Sequence, residues 1–296
     1  MAVKGVLVEV RAQPGLMCLF YADAEGREWS ALEPGASETF ALCSEYNLPL
    51  LAAGLTEDES RAVVLGMVGA FPPSAVLRFG AVPTTWGELL RACGSRVEVW
   101  CSRMAPVLEL GEGQANPPSA HGETARRLRQ SVRLYSPLAV EHANSVADRA
   151  AMLTELIELH SRYWRSNGKL GVFHEQSMRG FYAHLVSRDE ADESIALFRV
   201  RAGLQTIAIL YGFRHRSRFY AYQSGIHYDD DNRKRPGLLA HTLFANYLAE
   251  VGAASYNLLA GDFRYKRSLT NSHAQLDWLR VHCDGAFAHI NQGGES

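Results

Sequence analysis

Cysteine is scarce in this chain, and its spacing matches no common ligand or disulfide pattern. The five cysteines are Cys18, Cys43, Cys93, Cys101 and Cys283. Their number is odd and none belongs to a CxxC pair, which argues against both a disulfide framework and a structural zinc site. We expect them to be small buried side chains in a reducing compartment.

Long apolar runs are absent too. No uninterrupted stretch reaches the roughly 18 apolar residues that a membrane-spanning helix needs. Near the N-terminus, Glu9 and Arg11 interrupt a short apolar segment that alternates like a strand, whereas a signal peptide needs a longer apolar core. We therefore expect a cytoplasmic protein without a membrane span.

The motifs GxSxG, GxxxxGK[ST] and HExxH are also missing from the sequence.

Lysine is rare, and the charges are unevenly distributed. Only four of the 30 basic residues are lysines, so a lysine within a motif is informative. Residues 1–120 hold 8 Lys and Arg against 14 Asp and Glu, whereas residues 121–296 hold 22 against 18. The second part therefore suits an anionic ligand, although its excess is modest beside that of a dedicated nucleic-acid binder.

Length and composition favour a globular protein of two lobes. The chain has 296 residues, 47% of them hydrophobic and 21% charged, which excludes the disordered and fibrous classes. At about 150 residues per domain, two lobes are expected. The segment GEGQANPPSAHG, residues 111–122, has the composition of a linker. We predict two α+β lobes divided there.

Helical and strand-like patterns occur on both sides of that segment. The predicted helices are 37–46, 84–93, 123–133, 146–167, 175–187, 238–251 and 264–269. The predicted strands are 2–12, 16–22, 97–100, 106–110, 194–201, 206–214, 218–226, 254–259 and 276–282. We also expect strand 218–226 to diverge from strand 254–259.

The first candidate site is a strand, a basic loop and a helix start. Strand 218–226 precedes the loop Arg233-Lys234-Arg235, and Pro236-Gly237 opens an apolar helix. The unpaired N–H groups and the dipole of a helix N-terminus favour an anion, and glycine lets a phosphate approach the backbone. The alternative interpretation is a solvated charged loop.

The second candidate site follows the strand near residue 259, in the segment LLAGDFRYKR. Asp262, Tyr265 and Lys266 together offer a proton acceptor, a phenolic proton donor and a cation. Ligands of open α/β sheets gather at the carboxyl ends of strands, where these residues lie. The alternatives are a helix cap for Asp262, a partly buried Tyr265 and a surface Lys266.

The third candidate site is a helical stripe. His160, Tyr163, Trp164 and Asn167 share one face of their predicted helix and could line an acceptor cleft. Such a stripe is also typical of a core. His160 and His174 have no third ligand at metal spacing, so we predict no metal site.

Several segments together resemble one enzyme family. They are RRLRQ, LHSRYW, FYAHL, IAILYGFR, RFYAYQSGI, RPGLLAHTLF and YNLLAGDFRYKRSL, in collinear order over about residues 123–282. The most specific elements are Tyr220-x-Tyr222-Gln223-Ser224-Gly225, Pro236-Gly237 and Gly261-Asp262-x-x-Tyr265-Lys266. The chain resembles the GCN5-related N-acyltransferases, in their CelD/BcsL-like branch of cellulose-biosynthesis acetyltransferases.

The resemblance implies an α+β fold of tandem GCN5-related acyltransferase-like lobes, with a mixed sheet flanked by helices. Residues 1–115 would form a degenerate N-terminal lobe, and residues 120–296 the C-terminal acyltransferase domain. It also implies kinship with Fem-type transferases, which use aminoacyl-tRNA. The family's phosphate loop reads Q/R-x-x-G-x-G/A, and residues 233–239 cover that place without the second glycine.

The leading hypothesis is an N-acyltransferase that takes acyl-CoA and an amine of a small molecule or sugar, without a metal. Asp262 would be the base or orient the amine, Tyr265 the acid, and Lys266 would stabilise the oxyanion or anchor a phosphate. Donor contacts are assigned to Tyr222, Gln223, Ser224, Arg233, Arg235, Gly237 and Leu238. Acceptor contacts are assigned to His160, Trp164 and Tyr220.

Two other hypotheses stay open. In one, the donor is aminoacyl-tRNA, and Arg126, Arg127, Arg129 and Arg133 contribute a basic surface; no other nucleic acid is expected. In the other, the chain is a non-catalytic relative that binds a ligand. The acceptor, the acyl chain and the oligomeric state are not predicted.

Overall fold

The computed structural model describes residues 5–10, 15–23, 25–31, 45–111, 122–188, 193–261 and 263–284. The chain divides into two compact units, Met1–Met104 with Ala274–Ser296, and Ala105–His273. The elements in chain order are β1 Gly5–Val10, β2 Leu16–Ala22, β3 Glu28–Ala31, β4 Leu50–Leu51, α1 Glu57–Gly69, β5 Val76–Pro83, α2 Thr84–Ala92, β6 Arg96–Glu109, α3 Gly122–Tyr135, β7 Leu138–His142, α4 Val146–Ser166, a 3-10 helix Val172–His174, α5 Gln176–Val186, β8 Ile195–Ala202, β9 Gln205–His215, β10 Arg218–Ile226, α6 Pro236–Glu250, β11 Ser255–Asn257, α7 Arg264–Leu269 and β12 Ser272–His282.

The first unit is a mixed sheet packed against α1 and α2. Its strands follow the order β1-β2-β3-β5-β12-β6, with β3 and β5 parallel and β5 and β12 antiparallel. Thr56 begins α1 with a reciprocal capping box to Glu59. Met67 of that helix is fully buried against Phe20 and Leu279. Burial of these large side chains stabilises the unit.

The second unit is a sheet with helices on both faces. Strands β7, β8, β9 and β10 form an antiparallel meander, β11 adds in parallel to β10, and β6 pairs antiparallel with β11. Alternate residues of a strand point to opposite faces. Phe198 and Leu210 accordingly pack with α6, whereas Leu197 and Ile209 pack with α4 and α5. These two cores hold β10 and the start of α6 in place.

The structure confirms the α+β class and most predicted elements, with some differences. The two strands predicted at 97–100 and 106–110 are one continuous strand, β6. The predicted elements do not include α1, β3, β4, β5 or β7. The predicted division into residues 1–115 and 120–296 stays a prediction, because most of its linker lies outside the described residues. The chain passes between the compact units at residues 104–105, and β12 pairs with β5 of the first unit. Most of the helix predicted at 37–46 also lies outside the described residues.

Gly225 sets how closely α4 approaches β10. A Cβ atom at this position would lie 2.8 Å from the Leu156 carbonyl oxygen and 3.0 Å from Leu159 Cβ. We expect Gly225→Ala to lower the free energy of unfolding by about 1–3 kcal/mol, because the helix must move away. Urea unfolding followed by circular dichroism measures this change.

The matched control is Gly180→Ala, since a Cβ at that helical glycine meets nothing within 4 Å. The control should unfold at or above the wild-type midpoint. Equal midpoints for Gly225→Ala and wild type would contradict a close contact between α4 and β10.

Candidate functional site

Strand β10 loses its neighbour β11 after the first third of its length. The two strands pair in parallel only at Arg218–Ser255, Phe219–Tyr256 and Tyr220–Asn257. After Asn257 the chain turns away, and the Leu258 amide donates a hydrogen bond to the Pro106 carbonyl. The expected divergence of these strands is thus confirmed, although β11 is shorter than predicted.

A β-bulge lies where the strands diverge. The register between β10 and β9 shifts between Ala221 and Gln223. Ala221 packs with the α6 core, whereas Tyr222 packs against Phe213 and Tyr182, on the α4–α5 face. A bulge redirects side chains and bends the strand. Tyr222, assigned to the donor from sequence, faces away from α6 because it follows Ala221 on the strand, and the bulge then changes the facing of Gln223.

The diverging end of β10 opens into a pocket at the start of α6, which we call the α6 pocket. Its volume is about 350 Å³. It is lined by Ser224 and Ile226 from β10, by Tyr228, Asp229, Asp231, Asn232 and Arg235 from the following loop, by Pro236, Gly237, Leu238 and His241 from α6, and by Tyr265 from α7. Five residues assigned from sequence, Ser224, Arg235, Gly237, Leu238 and Tyr265, therefore lie together.

The start of α6 is open and lacks a side-chain cap. Arg235 is the N-cap residue in a left-handed conformation, and Pro236 occupies the first helical turn. A Cβ at Gly237 would meet nothing within 4 Å. The first N–H groups of a helix have no partner within it, so this end suits an anion.

The charged loop before α6 largely neutralises itself. Arg233 pairs with Asp231 at 2.8 Å, and Lys234 pairs with Asp229 at 2.5 Å. Hydrogen bonds from Arg233 lower the pKa of Asp231 to about 2. Arg235 lines the pocket and forms no ion pair with a described residue. The two arginines assigned to the donor therefore differ, because Arg233 is paired with Asp231 and lies outside the pocket lining.

The same loop is anchored to α3. Ser131 Oγ, which is buried, donates a hydrogen bond to the Lys234 carbonyl oxygen. Lys234 Nζ also lies 5.5 Å from the centre of the Tyr135 ring. Two residues of α3 thus hold the backbone and the side chain of the residue that precedes Arg235.

His241 and Tyr265 form the aromatic wall of the pocket. Their rings stack with centroids 5.5 Å apart, and His241 Nδ1 lies 2.6 Å from Tyr256 Oη. Burial, with a smaller effect of the Lys266 charge, lowers the pKa of His241 to about 4, so this imidazole is neutral at pH 7. Burial, together with Tyr228, raises the pKa of Tyr265 to about 12. Tyr265, 40% exposed, is therefore a protonated phenol available to the pocket.

Lys266 lies behind the pocket rather than in its lining. Its buried Nζ donates hydrogen bonds to the carbonyl oxygens of Leu259 at 3.1 Å and Ala260 at 2.9 Å. Leu259 and Gly261 both have positive φ, at 60° and 121°. Lys266 therefore stabilises the turn after β11, which differs from the oxyanion or phosphate role expected from sequence. Asp262, the expected base, lies outside the described residues.

The residues assigned to the acceptor lie apart from the α6 pocket lining. Trp164 Nε1 donates a hydrogen bond to His160 Nε2 at 2.8 Å. A Cβ at Gly171 would overlap His160 Cε1 at 2.4 Å, so this pair packs tightly on the Gly171 backbone. Burial lowers the pKa of His160 to about 4. Both residues therefore fit better the interpretation of the stripe as part of a core. Tyr220, the third residue assigned to the acceptor, is half-buried; it lies before the bulge and pairs with Asn257 of β11.

Gln223 also departs from its expected place. It forms a side-chain hydrogen bond to Tyr182, which is buried against α4 and α5. Gln223 is absent from the α6 pocket lining. The bulge explains this position, because Tyr222 and Gln223 both oppose Tyr211 and both face α5.

Sequence reasoning missed His241, Tyr228, Asp229, Asp231, Asn232 and Ile226 as lining residues. His241 follows Gly237 by four positions and Leu238 by three, so helical periodicity indicates a shared face. The loop residues carry no comparable signal. Among the described residues, no group of three or more His, Cys, Asp or Glu side chains could hold a metal ion. None of the described helices is long and apolar enough to cross a membrane.

The comparisons with known proteins agree with this geometry. The model of the acetyltransferase (GNAT) domain matches residues 122–267. FemX is a solved structure with 11% identity and a TM-score of 0.60, covering 93% of this chain and 87% of FemX. L-PGS from Bacillus licheniformis has 9% identity and a TM-score of 0.58, covering 91% of this chain and 81% of that one.

A third structure is a C-terminal DUF2156 domain from Agrobacterium fabrum, from a protein named as a lysylphosphatidylglycerol synthetase. It has 15% identity and a TM-score of 0.60, covering 96% of this chain and 85% of that chain. At these identities the likeness shows the fold, and it extends over both units. No curated protein sequence matches the chain significantly. Through its residues 122–267, this chain belongs to the GNAT acyltransferase family.

Proposed function

We propose that this acyltransferase moves an acyl group from acyl-CoA to an amine of a small molecule or sugar. The observation that carries the proposal is the separation of β10 from β11 after Tyr220, beside the α6 pocket. An extended thioester arm enters such a gap and hydrogen-bonds like an added strand. Its phosphates then reach the open start of α6.

The lining of the α6 pocket supports a phosphate-bearing donor. Asp229 and Asp231 carry negative charge at the pocket, but Lys234 and Arg233 pair with them. Arg235 and the N–H groups at the start of α6 then supply the positive potential that a pyrophosphate needs. Gly237 leaves the space into which a phosphate oxygen fits.

The chemistry follows from direct attack. The amine nitrogen bonds to the thioester carbonyl carbon, the C–S bond breaks, and the thiolate of CoA takes a proton. Tyr265 supplies that proton, because its raised pKa keeps it protonated at neutral pH. Asp262 takes the proton that the amine loses, and holding both reactants in contact supplies much of the rate. Lys266 holds the carbonyl oxygens of Leu259 and Ala260, in the turn between β11 and the helix α7 that carries Tyr265.

Aminoacyl-tRNA is the alternative donor, since the chain resembles the Fem-type transferases that use it and shares the fold of FemX. The charge on α3 disfavours it. Arg126 and Arg127 both pair with Glu123, at 2.7 Å and 2.6 Å, which weakens the basic surface that a tRNA needs. A catalytically inactive relative is the third hypothesis, and the same experiment tests all three.

The experiment incubates the full chain with acetyl-CoA, and separately with aminoacyl-tRNA, and a panel of amino sugars, amino acids, peptides and polyamines. Release of CoA thiol and mass spectrometry of the products detect transfer. RNA extracted from the purified protein is sequenced in parallel. Acetylated amine supports the proposal. Bound tRNA with aminoacyl transfer favours the alternative donor, and no transfer from either donor favours the inactive relative.

The two arginines of the loop make a matched pair for the donor site. Arg235→Ala should weaken CoA binding about 10-fold or more, because a charge-assisted contact to phosphate is lost. Arg233→Ala should change it far less, because the Arg233 guanidinium is exposed and held by Asp231. Isothermal titration with CoA measures both. Equal affinities of Arg235→Ala and wild type for CoA would show that the phosphates bind elsewhere.

Tyr265→Phe removes only the phenolic proton. We expect kcat at saturating donor to fall about 10²–10⁴-fold, as for a lost general acid, with the fold retained. Tyr228→Phe is the control, because Tyr228 lines the same pocket. In the wild type, the raised pKa of Tyr265 predicts no loss of rate from this group up to about pH 10. A larger effect of Tyr228→Phe would give the acid role to Tyr228.

Asp262→Asn separates a base from a structural role. If Asp262 takes the amine proton, turnover should fall about 10²–10⁴-fold while circular dichroism stays unchanged. If a carboxylate only caps a helix, its replacement by Asn costs little stability and little activity. In this structure the N-cap residue of α7 is Phe263. Turnover close to wild type, with chemistry rate-limiting, would remove Asp262 from the reaction.

A further inference from the structure

A second pocket lies in the second unit, around the turn between β9 and β10. We call it the hairpin pocket. Its volume is about 310 Å³, which is within the range of small-molecule sites. The start of α4, the start of β8 and the last turns of α6 complete its walls. None of the residues assigned to acyl transfer contributes to its lining.

The floor of the hairpin pocket is apolar. Phe219 and Phe244 form it with ring centroids 4.7 Å apart, and Leu197 and Leu248 extend it. All four side chains are buried in the surrounding cores. The apolar surface left for a hydrocarbon group lies on the walls above this floor, on half-buried Tyr247 and on Val251, which is 48% exposed.

The rim of the hairpin pocket carries excess positive charge. Arg149, Arg214 and Arg218 line it together with one acidic side chain, Glu193. Arg214 pairs with Glu193 at 3.0 Å. Arg218 is exposed and forms no ion pair with a described residue. Arg149 is only 4% exposed and sits in the first turn of α4. Arginine at such a rim favours bidentate contact with a carboxylate.

The position of the hairpin pocket separates it from acyl transfer. Phe219 lines it, whereas Ser224 on the same strand lines the α6 pocket. At about 3.3 Å per residue, Phe219 and Ser224 lie roughly 16 Å apart along the strand, and the two pockets share no lining residue. An amine that attacks a thioester directly must be in contact with it, so a ligand of the hairpin pocket is neither donor nor acceptor.

We propose that the hairpin pocket binds a small monocarboxylate with a compact aromatic or branched hydrocarbon body. The hydrocarbon packs on Tyr247 and Val251 above the Phe219–Phe244 floor, and the carboxylate meets Arg149 and Arg218. This site is independent of the donor and of the acceptor of acyl transfer.

Isothermal titration of the full chain with phenylacetate and with 4-methylpentanoate tests the proposal. The neutral analogues phenylacetamide and 4-methylpentanamide keep the hydrocarbon and lose the charge. We expect at least one acid to bind, and its amide to bind about 10-fold more weakly or worse. Failure of both acids to bind, or equal binding of acid and amide, overturns the proposal.

Variants locate the binding. Arg218→Gln removes a rim charge, and Val251→Trp fills the pocket from a wall residue that is 48% exposed. Each should lower the affinity for the acid about 10-fold. The matched surface variants, Arg162→Gln on α4 and Val132→Trp on α3, should keep wild-type affinity. Arg235→Ala, in the α6 pocket, should also leave it unchanged. Retained affinity in both pocket variants, or lost affinity in Arg235→Ala, contradicts this location.

Discussion

The second unit depends on a parallel strand pair that ends after three residues. Interstrand hydrogen bonding favours longer pairing, so something must draw β11 away from β10. The Leu258 amide bonds to Pro106 and so continues the pairing of β11 with β6, on the side away from β10. The Asn257 side chain accepts a hydrogen bond from the Leu259 amide at 2.8 Å and so turns the backbone after β11. Lys266 then holds the next carbonyl oxygens. The gap beside β10 is therefore maintained by the turn that follows β11.

This arrangement changes how the motif after β11 is understood. A lysine next to a tyrosine at a strand end suggests a charge aimed at substrate, yet the ammonium group is buried under the turn and points to carbonyl oxygens. A buried lysine is tolerated where such oxygens satisfy it. Its adjacent tyrosine is the residue that reaches the pocket. Positive charge for a ligand comes from Arg235 and the start of α6.

Much of the second unit is predictable from sequence because its patterns are local. The helical period of α4 and α6 and the alternation in β8 to β10 give nearly correct boundaries, and the Pro-Gly pair gives the start of α6. Side-chain positions that depend on tertiary contacts are harder to predict from the sequence. The bulge keeps Gln223 on the same face as Tyr222, opposite the pocket. The contact of His160 with Gly171 depends on a turn between helices. The separate roles of Arg233 and Arg235 depend on the ion pair with Asp231, which residue type alone does not reveal.

The contact between Ser131 and the Lys234 carbonyl oxygen has a consequence for how a ligand meets the α6 pocket. A loop that is ordered during folding has already lost its conformational entropy, so a ligand need not order it on arrival. Helix α3 contributes no side chain to the pocket lining, yet it keeps the backbone before Arg235 in one conformation. Preorganisation of the pocket is therefore encoded partly in α3, about 100 residues earlier in the chain than the loop that it holds.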